Sequence, residues 1–90
     1  MGNVEFEALS RNAVADWYSQ NREEITADDV YVVWVCKTLQ NNKALLATTK
    51  PDNMYFEVTY NGDKGEIYLD AYIKVENVAI KVQEVYCHEN

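Results

Sequence analysis

The chain has 90 residues, of which 48% are hydrophobic, and 15 Asp and Glu against 8 Lys and Arg give it a net charge of −7. That length supports one hydrophobic core, and that composition excludes a globally disordered chain. The acidic balance disfavours duplex nucleic acid as a partner, because holding a phosphate backbone needs clustered Lys and Arg to displace counterions.

Residues 3–20, NVEFEALSRNAVADWYSQ, are predicted to form a helix. Phe6, Leu9, Ala13 and Trp17 recur at three- and four-residue steps with Val14 beside them, while Glu5, Glu7, Arg11 and Asp16 fall elsewhere. Asn3 suits the N-cap, and Glu5 and Glu7 complement the positive end of the helix dipole. The N-terminal MGNVEFEALSRNA lacks the positive start and apolar stretch of a secretory signal. Phe6 stands where a myristoylation signal after Gly2 calls for Ser or Thr. Nor does any apolar run approach the ~20 residues that span a bilayer, so the expectation is a cytoplasmic chain with no membrane partner.

Residues 21–29, NREEITADD, lack periodicity and read as an acidic connecting loop with room for a short helical turn. Residues 1–29 hold seven acids and two bases, whereas residues 30–90 hold eight and six. An acidic surface of this kind is ordinarily a solvated face. The competing reading is an acidic mimic of nucleic acid, with Glu23, Glu24, Asp28 and Asp29 docking on a basic protein.

From Val30 the pattern becomes that of strands, rich in β-branched and aromatic residues. Strict alternation puts Val30, Val32, Trp34 and Cys36 on one face and Tyr31, Val33 and Val35 on the other, and both faces are apolar. Asn41-Asn42 in QNNK can take positive φ, which predicts a hairpin turn into KALLATT. Pro51 ends that strand. In MYFEVTY, Met54, Phe56, Val58 and Tyr60 oppose Tyr55, Glu57 and Thr59. After the turn at Asn61–Gly65, EIYLDAYIKV sets Ile67, Leu69, Ala71, Ile73 and Val75 against Tyr68, Asp70, Tyr72 and Lys74. VAIKVQEVY reads as a fifth strand after a turn at Glu76-Asn77. A helix over 70–80 competes with it, because Leu69, Tyr72, Ile73, Glu76 and Ile80 also step helically.

Short connections imply antiparallel neighbours. The expected architecture is a single α+β domain over 1–90, an N-terminal helix packed on an antiparallel meander of four to five strands within residues 30–86. A strand apolar on both faces should be central in the sheet, or covered on its second face by residues 77–90 or by a second copy. Tyr31, Val33 and Val35 are therefore the candidate self-association face of a homodimer.

Residues 32–82 also resemble a known family. The resemblance rests on WVCKTLQNNKALL (34–46), MYFEVTYNGDK (54–64) after the proline turn, and YLDAYIKVEN (68–77), with the helix a looser match. The family comprises small proteins encoded in phages and prophages of Gram-positive bacteria and has no known function. It implies a setting, a phage or prophage product in the bacterial cytoplasm, and supplies no activity or site residues.

Chemistry-bearing residues are sparse. Ser10 and Ser19 are the only serines, and neither sits in a GxSxG elbow. Gly62 and Gly65 belong to a turn and not to a phosphate loop. Cys36, Cys87 and His88 fall short of the four ligands of a structural zinc site, and Cys36, mid-strand, reads as a small hydrophobe. Glu57 and Asp70 are placed to oppose each other across neighbouring strands, but opposed like charges are more often offset by a cation such as Lys74 than used in catalysis. No enzyme activity, cofactor or metal is expected. Tyr55, Tyr68 and Tyr72 share a face with Glu57 and Asp70, and this face is the candidate binding site. Tyrosines there could stack single-stranded bases, but the acids beside them oppose phosphate. The same residues suit a protein interface, where tyrosine gives large contact area at low entropic cost. The expected function is non-catalytic binding of a protein, either a second copy or a host factor.

Overall fold

A computed structural model of the chain describes residues 1–83. Helix α1 spans Asn3–Asn21 and a short 3-10 turn covers Ala27–Asp29. Strands β1 (Val30–Thr38), β2 (Asn41–Thr48), β3 (Met54–Asn61) and β4 (Glu66–Ile73) follow. All neighbours are antiparallel and the sheet order is β1-β2-β3-β4, so the helix on a four-strand meander is as expected.

The helix presents a face slightly rotated from the predicted one. Phe6, Ser10, Val14 and Tyr18, at four-residue steps, are buried together with Ala15. Leu9 is exposed, and Ala13 and Trp17 are half-buried at the margin. Small Ser10 and Ala15 let the helix sit close on the sheet, while Trp17 packs edge-on against Phe56 with ring centroids 5.4 Å apart. The N-cap is Gly2 and not Asn3, and it offers no side-chain cap. The core lies between this stripe and Val30, Ala44, Leu46, Met54, Phe56 and Val58 of the sheet.

The β1–β2 turn also differs from expectation. Thr38 pairs with Asn41, so the turn residues are Leu39 and Gln40, and the positive φ of 56° falls on Leu39. The asparagines are drawn into other work. Asn42 is buried and its Nδ2 donates to the Met1 carbonyl at 3.1 Å, while Asn41 Oδ1 accepts from the Gly62 amide at 3.2 Å. Strand β1 contains a second departure, a bulge at Val33. Val32 pairs with Leu46, yet Trp34 pairs with Leu45, so one residue is inserted and the alternation reverses. Val30, Val32 and Val35 turn toward the core, and Trp34 and Cys36 turn away from it.

Among the described residues strand β1 lies at an edge of the sheet and is not the central strand that its two apolar faces suggest, and Tyr31, Val33 and Trp34 are exposed on it. Strand β4, at the other edge, ends at Ile73, so a helix over 70–80 is not formed. Residues 74–81 belong to no helix or strand and are exposed. A fifth strand is thus absent over 78–83, and its expected remainder lies outside the described residues.

The far end of the helix is tied to the β2–β3 turn. The Tyr18 hydroxyl donates to Asp52, whose other carboxylate oxygen accepts from the Met54 amide at 3.1 Å. Burial, and then the hydrogen bond to Asp52, push the Tyr18 phenol from 10.0 up to about 12. A group whose pKa is higher folded than unfolded stabilises fully below its unfolded value and loses that contribution as pH rises. The unfolding free energy should therefore fall as pH climbs through the range from 10.0 to about 12. Urea denaturation at stepped pH, compared with Tyr18→Phe, checks this; the substitution should flatten the fall.

Candidate functional site

The face of the sheet opposite the helix is set by the pleat. Residues paired across an antiparallel ladder share a face, and two transverse rows follow from the register. One runs Trp34–Leu45–Glu57–Asp70 and the next Cys36–Lys43–Thr59–Tyr68. Tyr55 pairs with Tyr72 on the same side, and Tyr31 pairs with Ala47. Four strands at ~4.8 Å spacing make this face about 14 Å across from β1 to β4.

The two patches expected from the sequence are therefore one surface. Tyr55, Glu57, Tyr68, Asp70 and Tyr72 occupy the β3–β4 half, and Tyr31 stands on the β1 half. Val33 lies at the bulge and is 47% exposed. Val35 does not belong, because the bulge turns it into the core. Trp34 replaces it on this face, and Leu45 joins it; sequence alternation missed both, since a bulge leaves no local signature in the run VYVVWVCKT. Tyr31 is 51% exposed, Trp34 43%, Tyr68 42% and Tyr72 50%.

The charges on this surface are arranged around the tyrosines. Glu57 and Asp70 oppose each other, as their spacing predicts. The cation beside Glu57 is Lys43, with Nζ 3.5 Å from Oε2, and not Lys74, which sits 5.6 Å from the centre of the Tyr55 ring. Among the described residues Asp70 has no ion-pair partner. The Tyr68 hydroxyl donates to Glu66, and that bond is the main cause of its raised pKa. The Tyr72 phenol is raised chiefly by the Asp70 charge and then by Glu57, which its hydroxyl approaches at 3.5 Å. Both phenols thus remain hydrogen-bond donors across the neutral range. Beside this surface, Cys36, Thr38, Asn41, Lys43 and Thr59 help line a depression of about 230 Å³. Cys36 is exposed there as a free thiol and is not the core residue that its apolar neighbours suggest. Cys87 and His88 lie outside the described residues.

The acidic segment before the sheet is built differently. Asp29 accepts from the Thr26 amide at 3.1 Å in a capping box, and Glu23 pairs with Lys50 at 2.7 Å. Two of the four acids proposed for a nucleic-acid mimic are therefore engaged within the protein, Asp29 in the turn of its own segment and Glu23 with Lys50 just beyond β2. Among the described residues there is no group of three or more His, Cys, Asp or Glu placed to hold a metal, and no helix long and apolar enough to cross a membrane.

Residues 7–82 match the family of unknown function DUF6275. The chain belongs to that family. The matched range takes in most of α1 and all four strands. No curated protein and no solved structure is detectably similar to this DUF6275 member.

Proposed function

We propose that this protein is a non-catalytic binding module that docks on another protein through the sheet face opposite α1. The observation that carries the reading is the set of large side chains left in water on that face, Tyr31, Trp34, Tyr68 and Tyr72. A patch of this kind on a small domain marks an interaction surface. Tyr and Trp are the residue types that carry binding energy at interfaces. The favoured partner surface is apolar at its centre and offers a Lys or Arg to Asp70, which among the described residues has no ion-pair partner. Single-stranded nucleic acid is the weaker reading, because Glu57, Glu66 and Asp70 outnumber Lys43 and Lys74 around the tyrosines and would repel phosphates. The resemblance of residues 32–82 to phage and prophage proteins supports an accessory role in the cytoplasm of a bacterial host.

The test is the double variant Tyr68→Ser with Tyr72→Ser, both positions being exposed enough to change without disturbing the core. Capture of the partner from a bacterial lysate should be lost while circular dichroism and the melting temperature stay unchanged. Wild-type capture by the double variant would move the interface elsewhere. A gel shift with single-stranded DNA at low salt, weakening steeply as salt is added, would favour the nucleic-acid reading instead.

A further inference from the structure

The helix-side face of β4 and the segment that follows it are two apolar surfaces left open in one chain. Helix α1 packs over β1, β2 and β3. On the corresponding face of β4, Ile73 remains 62% exposed and Ile67 37%, with half-buried Leu69 between them. Beyond β4, Val78 is 61% exposed and Ile80 67%. Their spacing is that of a strand with one apolar face. The Lys74 amide donates to the Asn53 carbonyl at 2.8 Å, which carries the ladder one step past Ile73, and residues 75–81 beyond it are exposed.

We infer that residues 77–81 of one copy add as a strand to the free edge of β4 in a second copy, and that the exchange is reciprocal. Among the described residues that edge has no ladder partner, since β4 terminates the sheet. An unpaired edge is a template for an incoming strand. The faces match. With Val78 and Ile80 beside Ile67, Leu69 and Ile73, alternation places Ala79 and Lys81 on the opposite face, where β4 displays Glu66 and Asp70. The charges match as well, because residues 74–83 carry two Lys and one Glu whereas residues 1–73 carry twelve acids and six bases. A second copy brings both the missing strand and the missing edge, and two identical exchanges close the assembly as a symmetric dimer. The surface of Tyr31, Trp34, Tyr68 and Tyr72 lies on the other face of the sheet and meets the exchanged strand at Asp70, so Ile80→Asp tests the dimer and Tyr68→Ser with Tyr72→Ser tests the partner binding proposed above, each without the other.

Analytical ultracentrifugation of the full chain across the micromolar range tests the exchange. The wild type should sediment as a dimer, and Ile80→Asp should weaken self-association roughly a hundredfold, since a symmetric dimer loses each buried contact twice. Both Ile80→Asp and Val78→Asp should keep the wild-type circular dichroism spectrum, because each side chain is exposed within its own copy. Lys81→Glu should also weaken the dimer, and adding Asp70→Lys to it should restore association. A wild type that stays monomeric throughout, with amides 77–81 protected from exchange, would mean that the segment pairs with its own β4 and would overturn the inference. A dimer that survives Ile80→Asp but dissociates on Trp34→Asp would overturn it equally.

Discussion

Phe56→Ala is expected to lower the unfolding free energy by about 3–5 kcal/mol, the usual cost of emptying a large aromatic side chain from a core. Phe56 is fully buried, pairs with Leu46 on one side and Ala71 on the other, and meets Trp17 and Tyr18 edge-on. It is the point where the aromatic part of α1 rests on the sheet. The surrounding groups are held by two ladders and cannot close the void. A domain of this size has about 5–15 kcal/mol of stability in all, so the variant should melt roughly 15 °C or more below the wild type. Urea denaturation monitored by Trp17 and Trp34 fluorescence would measure the loss. An unchanged midpoint would mean that the helix does not sit on this part of the sheet.

Gly62→Ala should cost about 2–3 kcal/mol, the upper part of the range for forcing an extra carbon into a packed site. A Cβ at this position would stand 2.2 Å from the Gln40 carbonyl oxygen and 3.0 Å from its carbon. Those are backbone atoms, so a side-chain rotation cannot relieve the clash. The Gly62 amide also donates to Asn41 Oδ1 at 3.2 Å, and this contact locks the β3–β4 turn against the β1–β2 turn. The substitution would therefore loosen the end of the sheet where Thr38, Asn41 and Thr59 line the depression. Gly65 provides the comparison. Its φ is 65° but a Cβ there meets nothing within 4 Å, so Gly65→Ala carries only the left-handed backbone penalty of about 1–2 kcal/mol. Thermal denaturation of the two variants side by side separates close approach from backbone conformation, and equal losses would contradict the contact.

The order of elements was legible from the residues alone because it depends on local period. A period near 3.6 over residues 3–20 and a period of two over 54–60 and 66–73 match α1, β3 and β4 closely. Turn chemistry placed the breaks at Pro51 and at Asn61–Gly65, and short connections specified the antiparallel meander. The pairing of Glu57 with Asp70 and of Tyr55 with Tyr72 followed from that meander, since adjacent strands joined by a short turn have little freedom of register. What the period could not reveal is which apolar face would be covered. The bulge at Val33 moves Val35 inward and Trp34 outward, and it answers to the packing of Val32 and Val35 under α1 and not to any residue type in the run. The asparagines fit for a turn were instead taken by contacts with Met1 and Gly62, distant in sequence, which left the turn to Leu39. Strand order decided the rest. One helix is wide enough to cover part of a four-strand sheet on one side, so among the described residues the other side, and the margin at β4, are left exposed. A sequence records that a strand is apolar on both faces; only the assembled layers determine which of those faces is left for a partner.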